Sequence, residues 1–319
     1  MTATAAVRHV HRQTLGFGQF VRGRGFHLPV DVAVDRAGLV HALSRSCSYK
    51  ERAPRITVAS LDERTCREIG TFGIEPGCLF EPTALAIDGE DRVYVADEHL
   101  HTVTVYDRDG GLVRRWGEHG STPGRLDRPS GLAFDANGDL HVVDHVNARV
   151  QRFTVEGRYL SAFGRPGSRP GELDLPWGIA AGPDGHLFVS DWRNDRVQRF
   201  DDAGQLLDVI GAGLLLRPAG LAVAGDGTLY VADWGHDRVQ VFDPDGRPTE
   251  TLAGDATLSR WAQEHLTTFP SVAAMRDKAD RAEEERLFRR PSGITTTPNG
   301  LVLVADTGRH RVQVLARGS

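Results

Sequence analysis

The stretch VSDWRNDRVQRF, residues 189–200, is spelled again with small changes as VADWGHDRVQVF at residues 231–242. Two near-copies at a fixed spacing mark one supersecondary unit repeated along the chain. Further copies are VADEHLHTVTVY (95–106), VVDHVNARVQRF (142–153) and VADTGRHRVQVL (304–315). Each follows a run that opens with proline: PTALAID (82–88), PSGLAFD (129–135), PWGIAAG (176–182), PAGLAVA (218–224) and PSGITTT (291–297). A degenerate copy comes first, PVDVAVD (29–35) followed by LVHALSRS. Apolar–glycine pairs punctuate the same rhythm at Phe17-Gly18, Phe72-Gly73, Trp116-Gly117, Phe163-Gly164, Ile210-Gly211 and Ala253-Gly254. The chain therefore holds six units.

Each unit reads as four short strands. A run such as GLAFD meets a tight turn, Asn137-Gly138 or Asp184-Gly185, and continues into LHVVD or its equivalent. RVQRF and a last strand ending at the apolar–glycine pair complete it. The strands are near-continuous apolar runs, as expected where both sheet faces are covered. Four-stranded units arranged radially make an all-β, six-bladed β-propeller. Unit six stops after its third strand, whereas the N-terminal RQTLGFG (12–18) is a spare fourth strand. That outer strand is expected to complete the last blade and close the ring without an exposed edge.

The pattern P-x-G-[IL]-A-V-D … G-x-[LI]-[YF]-V-[AS]-D-x-x-[NH]-x-R-V-Q-x-F resembles the NHL repeat, with five of the six copies close to it. The resemblance spans the chain apart from one insert and implies a propeller fold. It leaves function to the site, because one fold hosts many activities. Within that family, resemblance to a peptidyl-α-hydroxyglycine α-amidating lyase would imply zinc held by histidines beside the entry prolines. Those slots hold Val30, Thr83, Ser130, Trp177, Ala219 and Ser292, so that activity is not expected. Nor does the chain contain an H-E-x-x-H, a phosphate-cradling loop or a G-x-S-x-G.

Over 319 residues the composition is that of a soluble globular protein, 40% apolar and 25% charged. No stretch approaches a membrane span, and the N-terminal segment lacks the apolar core of a secretory signal. Three cysteines (Cys47, Cys66, Cys78) make neither a disulfide framework nor a C-x-x-C site, which predicts a cytosolic protein. A net charge of −5 gives no reason to expect a nucleic-acid or membrane partner. Lys50 and Lys278 are the two lysines, so arginine supplies nearly all positive charge.

Features shared by the copies are read as scaffold. Asp144/Arg149, Asp191/Arg196, Asp233/Arg238 and Asp306/Arg311 recur at one offset, as a turn aspartate that accepts backbone N–H groups and pairs with an arginine. His41 and His141 occupy the slot of Tyr94, Phe188 and Tyr230 and are read as packing histidines. Function is sought where the copies disagree. On one propeller face lie the loop entering the first strand and the turn between the second and third strands. These loops carry Trp177, Trp192 and Trp234, the arginines Arg45, Arg128, Arg193, Arg217, Arg290 and Arg309, and His236 as candidate ligand-binding residues. Asp31, Glu81, His27, His99 and His145 are the candidate acid–base residues. An aromatic-walled mouth with arginines predicts a small, anionic or aromatic ligand.

Two readings follow. One is a cytosolic enzyme of lyase, hydrolase or isomerase type, in specialised metabolism. The other is a non-catalytic scaffold whose Trp and Arg anchor a protein partner; RNA binding ranks below both. The sequence names no cofactor and leaves open whether a metal sits on the axis. Between blades five and six, residues 255–288 form an insert in which Leu258, Trp261, His265 and Leu266 fall at helical spacing. Ser271, after Pro270, can cap a second helix containing Met275. The insert is read either as a lid over the mouth or as a hairpin packed on the rim.

Overall fold

The structure, a computed structural model, describes residues 8–16, 25–46, 54–272 and 282–318. Its strands form six four-stranded antiparallel sheets. Blade one is Pro29–Val34, Val40–Ser44, Arg55–Ala59 and Cys66–Ile69. Blade two is Pro82–Ile87, Val93–Asp97, Thr102–Tyr106 and Leu112–Trp116. Blade three is Pro129–Phe134, Leu140–Asp144, Arg149–Phe153 and Tyr159–Phe163. Blade four is Ile179–Ala181, Leu187–Asp191, Arg196–Phe200 and Leu206–Ile210. Blade five is Pro218–Val223, Leu229–Asp233, Arg238–Phe242 and Pro248–Leu252. Blade six is Pro291–Thr296, Leu301–Asp306 and Arg311–Arg317, completed by the N-terminal strand His9–Leu15. That closing strand starts three residues earlier than the sequence suggested, and Phe17-Gly18 lies outside the described residues. So do Cys47, Lys50 and most of the lengthened blade-one turn.

Six apolar clusters hold the ring together, one at each seam between adjacent blades. Blade-to-blade burial explains why the strands read as apolar runs rather than alternations. At the axis the innermost strands come very close. A Cβ on Gly131, Gly178, Gly220 or Gly293 would stand within 3.0 Å of the next blade's backbone, so this ring of positions is glycine for want of space.

The copied aspartates are the joints. Asp97, Asp144, Asp191, Asp233 and Asp306 are all fully buried at the end of a second strand. Asp191 shows the full pattern. It accepts from the Asp174 N–H (2.7 Å), Asn194 Nδ2 (2.9 Å), Arg196 Nε (2.8 Å) and Gln198 Nε2 (3.0 Å). Arg196 then reaches back to the Arg169 and Glu172 carbonyls, tying the entry loop to the sheet. Asp144 and Asp306 repeat this scheme with Arg149 and Arg311. In blade five His236 takes the asparagine's place, its Nδ1 2.9 Å from Asp233. Blade two keeps the aspartate without the arginine, and blade one has Ser44 instead, leaving Arg55 to pair with Glu68 at 3.0 Å.

His41 and His141 are buried, and each Nε2 also meets a first-turn aspartate, Asp35 at 3.0 Å and Asp135 at 3.1 Å. Tyr94 makes the same link to Asp88 through its hydroxyl at 3.2 Å. The slot thus needs a polar tip as well as bulk.

The insert contributes helix α1, Arg260–Thr268, capped by Ser259, and a short helix α2, Ala282–Arg286. Leu258 precedes the cap rather than lying in the helix, and the span containing Met275 falls outside the described residues. Trp261 is buried against Phe26 at the seam where blade six meets blade one. Its backbone N–H and indole N–H donate to the Glu63 carboxylate and carbonyl, both at 2.8 Å. Glu63 also accepts the Gly16 N–H at the end of the closing strand, and burial raises its pKa. Helix α1 is therefore anchored on the ring's closing seam.

Two stability measurements test this description. Asp191→Ala strips four donors of their acceptor and leaves Arg196 without its carboxylate. It should cost about 3 kcal/mol in urea unfolding, where an unchanged midpoint would show the joint to be dispensable. Trp261→Ala should cost about 3–5 kcal/mol, since it empties a packed seam. A helix that merely covered the mouth would give a change near zero.

Candidate functional site

Each turn after a second strand presents its side chains in four directions. The residue after the aspartate turns to the axis and meets the next blade: the His145 Nδ1–H donates to the Pro176 carbonyl (2.9 Å), and Thr307 donates to Pro29 (2.6 Å). The second residue, His99 or Arg193, is exposed to solvent. The third reaches into the entry loop, as Asn194 does to the Gly167 carbonyl and Arg309 to that of Glu284 (2.8 Å). The fourth has left-handed backbone, as at His101, Ala148, Asp195, Asp237 and His310. From there the side chain, except for that of Ala148, caps the next blade. Asp195 accepts the Arg217 N–H, Asp237 that of Arg290, His101 that of Arg128 and His310 that of Leu28.

This geometry sorts the candidates. His236 and Arg309 are in the third position and serve the turn and the insert. His27 is buried, 1% exposed, and stacks on His310 with centroids 5.2 Å apart, away from the axial cavity. His99 tilts onto Phe80 at 4.2 Å. What the fold brings together around the mouth is Arg45, Glu81, Glu98, His145 and Trp177 on one side, with Trp192, Trp234, Arg217 and Arg290 on the other.

The second group forms a ladder. The Arg217 guanidinium lies over Trp192 at 5.0 Å, the two indoles are 6.5 Å apart, and Arg290 lies over Trp234 at 5.3 Å. Both arginines are exposed, so their charge remains available to a ligand while the rings hold them in place. In the first group Arg45 bonds Glu98 and stands 4.0 Å from Glu81. Glu98 shares the variable turn slot of His145 and Trp192 but was not among the acid–base or ligand-binding candidates drawn from the sequence.

His145 has its ring edge-on to Trp177 at 5.3 Å. Its bond to a carbonyl, which can only accept, places the proton on Nδ1 and leaves the Nε2 lone pair exposed for use. Burial lowers its pKa, with Glu98 acting to raise it and Arg128 to lower it. The imidazole is thus neutral near pH 7.

Below the mouth runs an axial cavity of about 330 Å³, lined by the six innermost strands. Among the described residues that line it, Asp31 is the single ionisable side chain. It stands where four other blades have glycine, and its carboxylate accepts the Val32 N–H (2.9 Å) and, across the seam, the Leu85 N–H (2.8 Å). Burial outweighs those bonds and raises its pKa to about 7. Hydroxyls stitch neighbouring seams in the same way, Thr83 to the Pro129 carbonyl and Ser130 to that of Trp177, both at 2.8 Å. Among the described residues one group has metal-ligand spacing, His101, His119 and Asp127 on the rim. No described helix is long and apolar enough to cross a membrane.

No curated protein matches the sequence. Solved propellers match over nearly the whole of this chain, among them the following three. A streptogramin B lyase is 14% identical, with TM-score 0.61, over 96% of this chain and 98% of its own. A catalytically inactive histidine-to-alanine variant of virginiamycin B lyase from Staphylococcus aureus, with quinupristin, is 12% identical, with TM-score 0.57, over 97% and 98%. A protein of unknown function from Bacteroides thetaiotaomicron is 19% identical, with TM-score 0.65, over 98% and 76%. At these identities the likeness is one of fold. The family model described as the NHL repeat matches residues 173–200, 215–242 and 288–315. Blades four, five and six supply those matches, and the other three are built on the same plan. The chain is a six-bladed β-propeller that carries NHL repeats in blades four, five and six.

Proposed function

We propose that the mouth binds a small anionic molecule with an aromatic or other flat apolar part, and moves a proton on it. The Trp192/Trp234 ladder with Arg217 and Arg290 supplies the binding half: indole faces for the flat group and guanidinium forks for a carboxylate or phosphate. His145 supplies the chemical half, as a general base acting through Nε2. The observation that carries this reading is the Nδ1–H bond to Pro176, which fixes both ring orientation and tautomer. Glu98 and Arg45 stand by as a paired acid and cation, suited to stabilising the imidazolium or a developing oxyanion. Abstraction of a proton followed by loss of a leaving group is the lyase form of this chemistry. Two of the structural neighbours are lyases, and one loses activity with a single histidine, which supports looking for elimination first.

Asp31 and Glu81 take lesser parts. Asp31 has an oxygen bonded to backbone on each side of a seam, and Glu81 is a charge partner for Arg45. The scaffold reading keeps one observation in its favour, since the ladder's arginines are exposed and Trp with Arg is the usual anchor pair of a protein interface.

The test begins with a thermal-shift panel of aryl carboxylates and aryl phosphates, followed by turnover of the best binder. His145→Gln should lower turnover ~10²–10⁴-fold while affinity stays within a few-fold. Trp192→Ala should weaken binding ~10-fold or more. Because the base works only when neutral, kcat/KM should rise with pH to a plateau, with its midpoint below the ordinary histidine range. Full turnover by His145→Gln, or a panel without a binder beside capture of a protein through Trp192, would give the mouth to the scaffold reading.

A further inference from the structure

We propose that His101, His119 and Asp127 form a site for a zinc-like divalent cation at the seam between blades two and three, on the mouth face. Their donor atoms all lie within 4.8 Å of one another. His101 Nδ1 and His119 Nε2 are each 3.6 Å from Asp127 Oδ1, and the two rings are 4.3 Å apart by centroid. Tetrahedral zinc with N and O ligands at about 2.0–2.2 Å separates its donors by roughly 3.3–3.6 Å, so little movement is required. Two imidazoles and a carboxylate are a borderline-soft donor set that favours Zn²⁺, Co²⁺ or Ni²⁺ over Mg²⁺ or Ca²⁺.

The repeat provides an internal control for this cluster. The loop from blade two to blade three is closed by a bridge between His119 and Leu126, with Gly120 N–H donating to the Leu126 carbonyl. The loop from blade three to blade four is built identically, with a bridge between Pro166 and Leu173 and Gly167 N–H donating to the Leu173 carbonyl. Asp127 and Asp174 are both pinned by their N–H groups to the buried aspartate, at 2.6 and 2.7 Å. In this second loop the positions of the two histidines are held by Ala148 and Pro166. The loop therefore folds without imidazoles, and both histidines are additions to a frame that already presents the carboxylate.

The frame leaves the site open. The His119 side chain is 65% exposed, and His101 and Asp127 are 22% and 24% exposed, so water or an anionic ligand can complete the coordination. One competing interaction is present: His101 Nδ1 accepts the Arg128 N–H at 3.1 Å. A metal on that nitrogen displaces this bond and returns the Arg128 N–H to solvent. The positive charges opposing a cation are those of Arg128, next to His101, and Arg125, which is paired with Glu118 at 2.8 Å.

The inference stands apart from the proposed chemistry of the mouth, and its test needs no turnover. Full-length protein freed of metal with a chelator is titrated with Co²⁺ and Zn²⁺, following the visible Co²⁺ band and the heat of binding. One site is expected that His119→Pro and His119→Ala each weaken at least ~10-fold. His101→Ala combined with His119→Pro should abolish it. Circular dichroism and melting temperature should stay those of the parent, as the blade-three loop predicts. A parent that gives no Co²⁺ band in tenfold excess overturns the proposal. Variants that bind like the parent do the same.

Discussion

A carboxylate with no exposure to water sits at the end of the second strand in five of the six blades, and it meets the N–H of the incoming loop in each, an arginine in four and a turn side chain in three. Such a group is costly to bury and becomes stabilising only when every lone pair has a donor. That requirement fixes three segments together: the strand end, the turn that follows and the loop from the preceding blade. These are the segments that make the mouth. At Asp191 and Asp306 burial raises the pKa despite the arginines, so every donor in the joint counts towards holding the carboxylate. Where Ser44 replaces the aspartate, the unit also loses the rest of the turn pattern.

With the joint fixed, each turn position has one direction, and neighbouring blades use the same direction for different ends. The position facing the axis is Glu98, His145, Trp192, Trp234 and Thr307 in turn around the ring. Four kinds of side chain in one geometric slot give a mouth whose two halves differ, charged and basic on one side, aromatic and cationic on the other. The left-handed position shows the opposite behaviour. His101, Asp195, Asp237 and His310 differ in chemistry yet accept the same neighbour's N–H. Variation there is tolerated because any acceptor serves, and Ala148 fills the slot in blade three with none.

The blade number, the closing strand and the aspartate–arginine joints were legible because repetition writes them several times. The mouth was legible as the set of positions where the copies part. What sequence could not supply was which of those positions are taken up by contacts between blades. Asp31 bonds Leu85 across a seam, His27 stacks on His310 at the other end of the chain, and His236 fills an asparagine's place in the joint. No periodicity encodes such pairs, since they depend on how closely the blades approach at the axis. Trp261 looked like one stripe of an amphipathic helix, and only the position of Glu63 shows where that stripe docks. The His101–His119–Asp127 group had a readable signal that went unused: laying the blade-two loop on the blade-three loop leaves those histidines as the differences.

Hydrogen exchange reads the buried-carboxylate joints directly. The N–H groups of Phe80, Asp127, Asp174, Leu216 and Arg289 belong to loop residues, and each donates to the aspartate of its own blade. If the joints hold the mouth, these five amides exchange as slowly as core strand amides such as those of Val142 and Val189, through global unfolding. Exchange at the rate of the exposed turn residues Ala136 and Asp184 would mean that the loops open locally, and that the carboxylates do not fix the mouth.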